Sequence, residues 1–323
     1  DLHSFPTRRS SDLTNGMEFF DVSCTNNLSG VFGRNRVNLA RDPAYREWLQ
    51  FDDLNKVGTA TDGAGCVRQV GRFLLVRRAS EFVSRVAGLV TQAMADPKGG
   101  RRMVHVHVFS GLGGGTGSGA FLDACYLVRE ALRRASVQDC MLMGYFFLPD
   151  VNLANTAIPP NVREYIGHNG YAAIQELDYC MGFGRNGDAW RQAYPGLGEV
   201  RCEAQPVDLC HLVAGRTSQG ALLPEMYEHA ISVVADYVTD TLVRPVSPSY
   251  SLESLLSNVE TIRSSMRGTQ DAGACYDYLV LGASCDVVPY GRIMTYLASG
   301  LFQRPEGLGM RGRVRWLDRK SVV

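Results

Sequence analysis

Residues Gly111-Leu112-Gly113-Gly114-Gly115-Thr116-Gly117-Ser118-Gly119 join an apolar run, Met103 to Phe109, to a helical pattern whose apolar stripe begins near Phe121. A strand that ends in a glycine loop and opens a helix is the repeating unit of parallel α/β sheets. Glycines let backbone amides close on an anion, and the helix that follows aims the positive end of its dipole at the same point. Thr116 and Ser118 add hydroxyl donors. A Rossmann fingerprint fits only as Gly115-x-Gly117-x-x-Ala120, and no acidic residue follows about 20 residues on to bind a ribose. A P-loop requires Gly-Lys-Ser/Thr, and no lysine follows this loop. A dinucleotide oxidoreductase is thereby a distant alternative.

The surrounding patterns extend the α/β reading. Phe121, Ala124, Cys125, Val128, Ala131, Leu132 and Ala135 recur at helical spacing and give one buried stripe. Cys140 to Pro149 is a continuous apolar run ending in proline, as expected for a parallel strand buried on both faces. Ligands of such sheets lie beyond the carboxyl ends of the strands, where the glycine loop falls. A second glycine turn, Gly63-Ala64-Gly65, precedes a helix expected from about Val70 to Met94, and Arg68 and Arg72 on it are candidates for neutralising phosphate. Met17 to Cys24 and Pro206 to Ala214 read as further strands. Gly182 to Gly198, with five glycines and an exposed Trp190, reads as an insertion loop. Pro224 opens a helix with Met226, Ala230, Val233, Val234, Tyr237 and Thr241 on one face. Tyr276 to Ala283 is expected as a strand, and Ile293 to Phe302 as a helix, of a second domain.

A chain of 323 residues that is 45% hydrophobic can bury a sizeable core. Its 33 basic residues equal its 33 acidic ones, so no overall field draws nucleic acid or an anionic membrane. No apolar run approaches the roughly 20 residues that span a bilayer. The nine cysteines are scattered without C-x-x-C pairs, which argues against a disulfide frame or zinc site and fits a reducing cytoplasm. His105 and His107 alternate on one strand, yet no third ligand is in view and no metal site is assigned.

The run GGGTGSG resembles the signature of the tubulin/FtsZ family of GTPases, closest to its bacterial tubulin-like members. The second turn, followed by Val70-Gly71-Arg72, resembles the loop that reaches the terminal phosphate in that family. Asn169-Gly170-Tyr171-Ala172-Ala173-Ile174-Gln175-Glu176-Leu177 resembles the stretch that contacts ribose or base. The resemblance implies an α/β Rossmann-like parallel sheet with helices on both faces over residues 14–244, lacking the first strand and first phosphate loop, followed by part of a second α/β domain over 245–317. Segments 1–13 and 318–323 resemble translated sequencing-adapter read-through and are set aside. The implied ligands are GTP or GDP and Mg²⁺, held by Gly63, Ala64, Gly65, Gly113, Gly114, Gly115, Thr116, Gly117, Ser118 and Asn169. The implied assembly is a head-to-tail homo-oligomer or filament in which a neighbouring subunit supplies the catalytic acid. Asp236, Asp240 and Glu253 match no catalytic motif, so the acid is not assigned. The family reads guanine with an asparagine after the strand at 206–214, and Gly215-Arg216 stands here instead, with Thr217, Gln219 and Tyr227 as other base-contact candidates. The competing reading is a non-hydrolysing scaffold of the same fold.

Overall fold

The computed structural model describes residues 20–24, 27–51, 54, 63–95, 103–153, 158, 160–184, 186–216, 219–221, 225–240, 254, 256–259, 261, 278–281 and 294–295. The expected artefactual ends, Glu253, Thr217 and most of the expected second domain lie outside these residues. The chain divides into one unit ending at Gly282 and another from Ala283, of which only Met294 and Thr295, both helical, are described.

In chain order the elements are α1 (Leu28–Arg41), α2 (Arg68–Val76), α3 (Ala79–Met94), β1 (Val104–Gly111), α4 (Thr116–Arg134), β2 (Cys140–Phe147), α5 (Pro149–Leu153), α6 (Pro160–Met181), β3 (Trp190–Tyr194), β4 (Gly198–Cys202), β5 (Leu209–Val213), α7 (Met226–Val238) and β6 (Tyr278–Val280). Four of the strands form one parallel sheet in the order β1-β2-β5-β6, with Val106 opposite Leu142 and Tyr145 opposite His211. The α/β parallel sheet expected from the sequence is therefore present.

Alternation along β2 divides the core. Leu142 and Phe146 pack with Leu122, Tyr126 and Leu177 of α4 and α6, whereas Met141, Met143, Tyr145 and Phe147 pack with Ala230 and Val234 of α7. Both faces of β2 are buried, which explains its unbroken apolar sequence. A further cluster joins α1, α2 and α3 to Leu127 and Ala131 of α4. Helix α4 is thus enclosed on two sides, and its buried residues extend well beyond a single stripe.

Five expectations change. The signature helix begins at Thr116 rather than near Phe121, so Gly117 and Gly119 lie inside it. The helix expected from Val70 to Met94 is two helices, broken at Arg77-Arg78 without glycine or proline. Arg77 donates to the carbonyls of Val22 and Ser23, and Arg78 to that of Asp21, so contacts more than fifty residues away fix the break. Residues 20–23 carry no regular strand, although Cys24 makes an isolated bridge. The expected insertion loop contains the antiparallel β3–β4 hairpin, turning at Gly196 (φ 72°). Trp190 stands in β3, half-buried with its ring stacked 4.4 Å from that of Tyr126. Finally, β6, expected from the sequence in a second domain, pairs with β5 in the main sheet.

Candidate functional site

Both glycine turns meet at the carboxyl end of β1, before α4. Ala64 N–H donates to Thr116 Oγ1 at 3.1 Å, which ties the first turn to the second. Asn169 on α6 is buried and donates from Nδ2 to the carbonyls of Cys66 (2.8 Å) and Gly113 (3.2 Å), fastening both turns from below. Ser118 is fully buried; its hydroxyl donates to the Asn169 carbonyl and accepts from Arg68 Nε at 2.8 Å. Arg68 also grips the Glu176 carboxylate through two nitrogens. Gly63, with φ 121°, and Gly65, with φ 56°, take backbone conformations that side chains disfavour, and Cys66 (φ 64°) shares them. Burial pushes the Cys66 thiol up from its ordinary value.

Packing demands several of the glycines directly. A Cβ on Gly119 would lie 2.0 Å from the Arg68 carbonyl oxygen, one on Gly71 2.2 Å from that of Gly115, and one on Gly117 2.6 Å from that of Gly111. One on Gly115 would meet the Val67 amide at 2.7 Å, and one on Gly113 would meet Ile166 at 2.7 Å. The run thus lets α4 approach α2 at backbone distance. The amides of Thr116, Gly117 and Ser118 open α4 and have no carbonyl one turn earlier; Gly115, in helical conformation, offers no side-chain cap. These amides, the dipole behind them and the partly exposed Gly114 beside them make a candidate anion cradle.

A family model described as tubulin-like matches residues 25–305. The chain belongs to the tubulin-like family. A direct comparison with curated proteins finds no match. In this tubulin-like chain the ten sequence candidates all fall in the two turns, the start of α4 and Asn169, and the turns, α4 and Asn169 touch one another as described.

The two arginines on α2 serve the fold. Arg72 donates to Asp123 Oδ2 at 2.9 Å and to Gln192 Oε1 at 2.9 Å, and its guanidinium lies 4.5 Å from the Trp48 ring centroid. Asp123 is buried and also accepts from the Tyr194 hydroxyl at 2.8 Å, so one ion pair clamps α2, α4 and the hairpin. Tyr227 packs, half-buried, against the cluster beneath α7, whereas Gln219, Asp236 and Asp240 are exposed. His107 Nδ1 lies 3.2 Å from the Tyr145 hydroxyl, and Tyr145 stacks between His107 and His211. Among the described residues no group of three or more His, Cys, Asp or Glu comes together to hold a metal ion.

Sequence reasoning placed no candidate on α5, which follows β2, and named Arg216 after β5 only as a departure from the family. Asp150 Oδ2 pairs with Arg216 Nε at 3.4 Å, whereas Asp150 Oδ1 and the nearby Asn152 Oδ1 are buried without a partner among the described residues. Asn152 Oδ1 lies 3.2 Å from the Cβ position of Gly113, which places α5 beside the signature turn. The signal was available: both segments leave the carboxyl ends of adjacent parallel strands.

Proposed function

We propose that the protein binds GTP with its phosphates on the anion cradle at the start of α4. The observation that carries this reading is the meeting of both glycine turns on the uncapped amides of that helix, in a chain whose family generally binds GTP or GDP and polymerises. The Gly113–Ser118 amides would hold phosphate oxygens, and the Gly63–Gly65 turn would close over them. Mg²⁺ fits as an ion carried by the phosphates, because no acidic side chain lies within residues 63–67 or 112–119. It would neutralise charge on the phosphates. Hydrolysis is then phosphoryl transfer by positioning and charge stabilisation, with the acid that orients water supplied by a second copy docked head to tail. A heterologous contact of that kind, if it does not close, builds filaments.

The scaffold reading is favoured by a specific observation. Packing alone accounts for Gly113, Gly115, Gly117 and Gly119, and Thr116, Ser118 and Asn169 bond to protein groups. Titration with fluorescent GTP, ATP and NAD in the presence of Mg²⁺, followed by sedimentation with and without nucleotide, separates the two. Mg²⁺-dependent GTP binding with nucleotide-dependent pelleting is expected. Binding to none of the three would leave the scaffold.

A further inference from the structure

Two helices of the unit ending at Gly282 present solvent-facing ridges of opposite character. On α1, Arg34, Arg36, Val37 and Arg41 are exposed, and no Asp or Glu stands between Asp21 and Asp42. Neither Arg34 nor Arg41 has an acidic partner among the described residues; Arg34 Nε donates instead to the Gly30 carbonyl of its own helix at 3.2 Å, and Val37 is 62% exposed. On α6, Tyr165, His168, Ala172 and Tyr179 recur at steps of three, four and seven residues along one face, flanked by Glu164, Tyr171 and Asp178. Tyr165, Tyr171 and Tyr179 are 59%, 66% and 59% exposed. Two of these rings are held at their hydroxyls: Tyr171 accepts from Gln175 Nε2 at 2.7 Å, and Tyr179 donates to Asp188 Oδ2 at 3.1 Å. Arg163, the single arginine of α6, turns back to the Leu153 carbonyl, so the exposed formal charge of this helix is carboxylate.

Each helix turns its other face into a different part of the core. Leu28 and Phe32 of α1 pack with α2 and α3, whereas Ala173 and Leu177 of α6 pack with α4 and β2, and both ridges are left uncovered within one copy. Tyrosine and arginine are residue types enriched where proteins meet, and a guanidinium both stacks on a tyrosine ring and forks onto a carboxylate. The 14 residues of α1 and the 22 of α6 make ridges about 21 and 33 Å long at the helical rise of about 1.5 Å per residue, so the shorter fits along the longer. Gly33 on α1 and Gly167 on α6 have nothing within 4 Å of their Cβ positions, which leaves room for a second helix to come close. We propose that the occupant of each ridge is a second copy of this chain: the arginines of α1 on one copy seat against the tyrosines and carboxylates of α6 on the next. Charge decides the occupant. Each ridge carries the sign the other lacks, whereas a chain with 33 basic and 33 acidic residues has no overall field for a polyanion. Two different surfaces meet, so the contact is heterologous and leaves a free ridge at either end for further copies. It shares no residue with the glycine turns and forms without nucleotide, as a contact separate from the head-to-tail one proposed above.

Sedimentation velocity of the full chain without nucleotide tests the interface. Concentration-dependent association is expected at about 0.1 M salt and should be lost near about 1 M, where the screening length falls from about 10 Å to about 3 Å. Arg34→Glu with Arg41→Glu reverses the α1 ridge, and Glu164→Arg with His168→Arg reverses that of α6. Each pair of substitutions should weaken association by roughly tenfold or more, and an equimolar mixture of the two folded variants should recover it, because each ridge again meets its opposite. A wild-type chain that stays monomeric, association that survives either reversal, or a mixture that fails to recover overturns the interface. The salt comparison needs no variant, and association indifferent to salt overturns the interface even if a substitution disturbs the fold. None of these readings involves nucleotide, so failure of the interface leaves the GTP reading standing, and failure of GTP binding leaves the interface standing.

Discussion

The turns that open α4 and the loops that follow β2 and β5 stand at the same end of one sheet, yet they treat their polar groups differently. At the turns, Thr116, Ser118, Asn169 and Arg68 are all bonded to protein atoms, and Gly113, Gly115, Gly117 and Gly119 stand where a Cβ would collide. At the strand ends, Asp150 Oδ1 and Asn152 Oδ1 on α5 are buried without partners among the described residues, and Arg216 is half-exposed. Buried polar groups in folded proteins are normally satisfied, so a satisfied cluster reads as architecture and an unsatisfied one marks a place to look for a ligand. The backbone amides of α4 are the exception within the first region, since a helix cannot satisfy its own first turn.

The comparison breaks first at Gly119. Replacing it by alanine drives a methyl into the Arg68 carbonyl, and the expected loss is about 3 kcal/mol or more in urea unfolding without nucleotide. Gly88, also inside a helix but with nothing within 4 Å of its Cβ position, serves as the control: Gly88→Ala should gain about 0.5–1 kcal/mol. Equal and small effects at the two sites would mean that ligand approach, not packing, selects the signature glycines. Asp123→Ala removes the partner of Arg72 and Tyr194 at the α2–α4–hairpin junction and should cost about 3 kcal/mol, while Asp123→Asn costs less because it keeps one acceptor. A negligible loss in thermal unfolding would reassign Arg72 to solvent or ligand.

A smaller effect sharpens the contrast on the opposite face of the sheet. His211 donates from Nδ1 to the Gly144 carbonyl, accepts at Nε2 from the Tyr237 hydroxyl, and is stacked on Tyr145, with His107 beyond. Burial pulls its pKa down to about 4 from 6.5. Because the unfolded chain binds the proton first, stability is full above about pH 6.5 and falls as pH drops towards 4; between pH 7 and pH 5 this one group should remove about 2 kcal/mol. His107, also lowered by burial, adds in the same direction. His211→Phe should flatten the pH dependence of the melting temperature, and an unchanged slope would place the acid sensitivity elsewhere.

Much of this fold was legible because its signals are local and periodic. The apolar run at Cys140–Phe147 and the glycine turns at 63–65 and 111–119 marked a parallel strand and the site end of the sheet before any contact was known. Misreadings came where distant residues decided. Arg77 and Arg78 break a helix by reaching the backbone of residues 21–23, and Trp190 is covered by Tyr126 across a hairpin that local sequence disguises as a glycine-rich loop. Arg216 and Asp150 are 66 positions apart and meet only because β2 and β5 are neighbours.

The sequence by itself determined the class of the fold, the order of strand, loop and helix, and the place of the candidate anion cradle, since each follows from side-chain period and backbone freedom within a few residues. Only the tertiary structure decided what the individual groups do there. It turned Ser118, Asn169 and Arg72 into ties between elements, made Gly117 and Gly119 sites of helix contact, and set Arg216 against Asp150. A hydrogen bond or a close backbone approach is a property of two segments brought together, and no single segment of the sequence carries it.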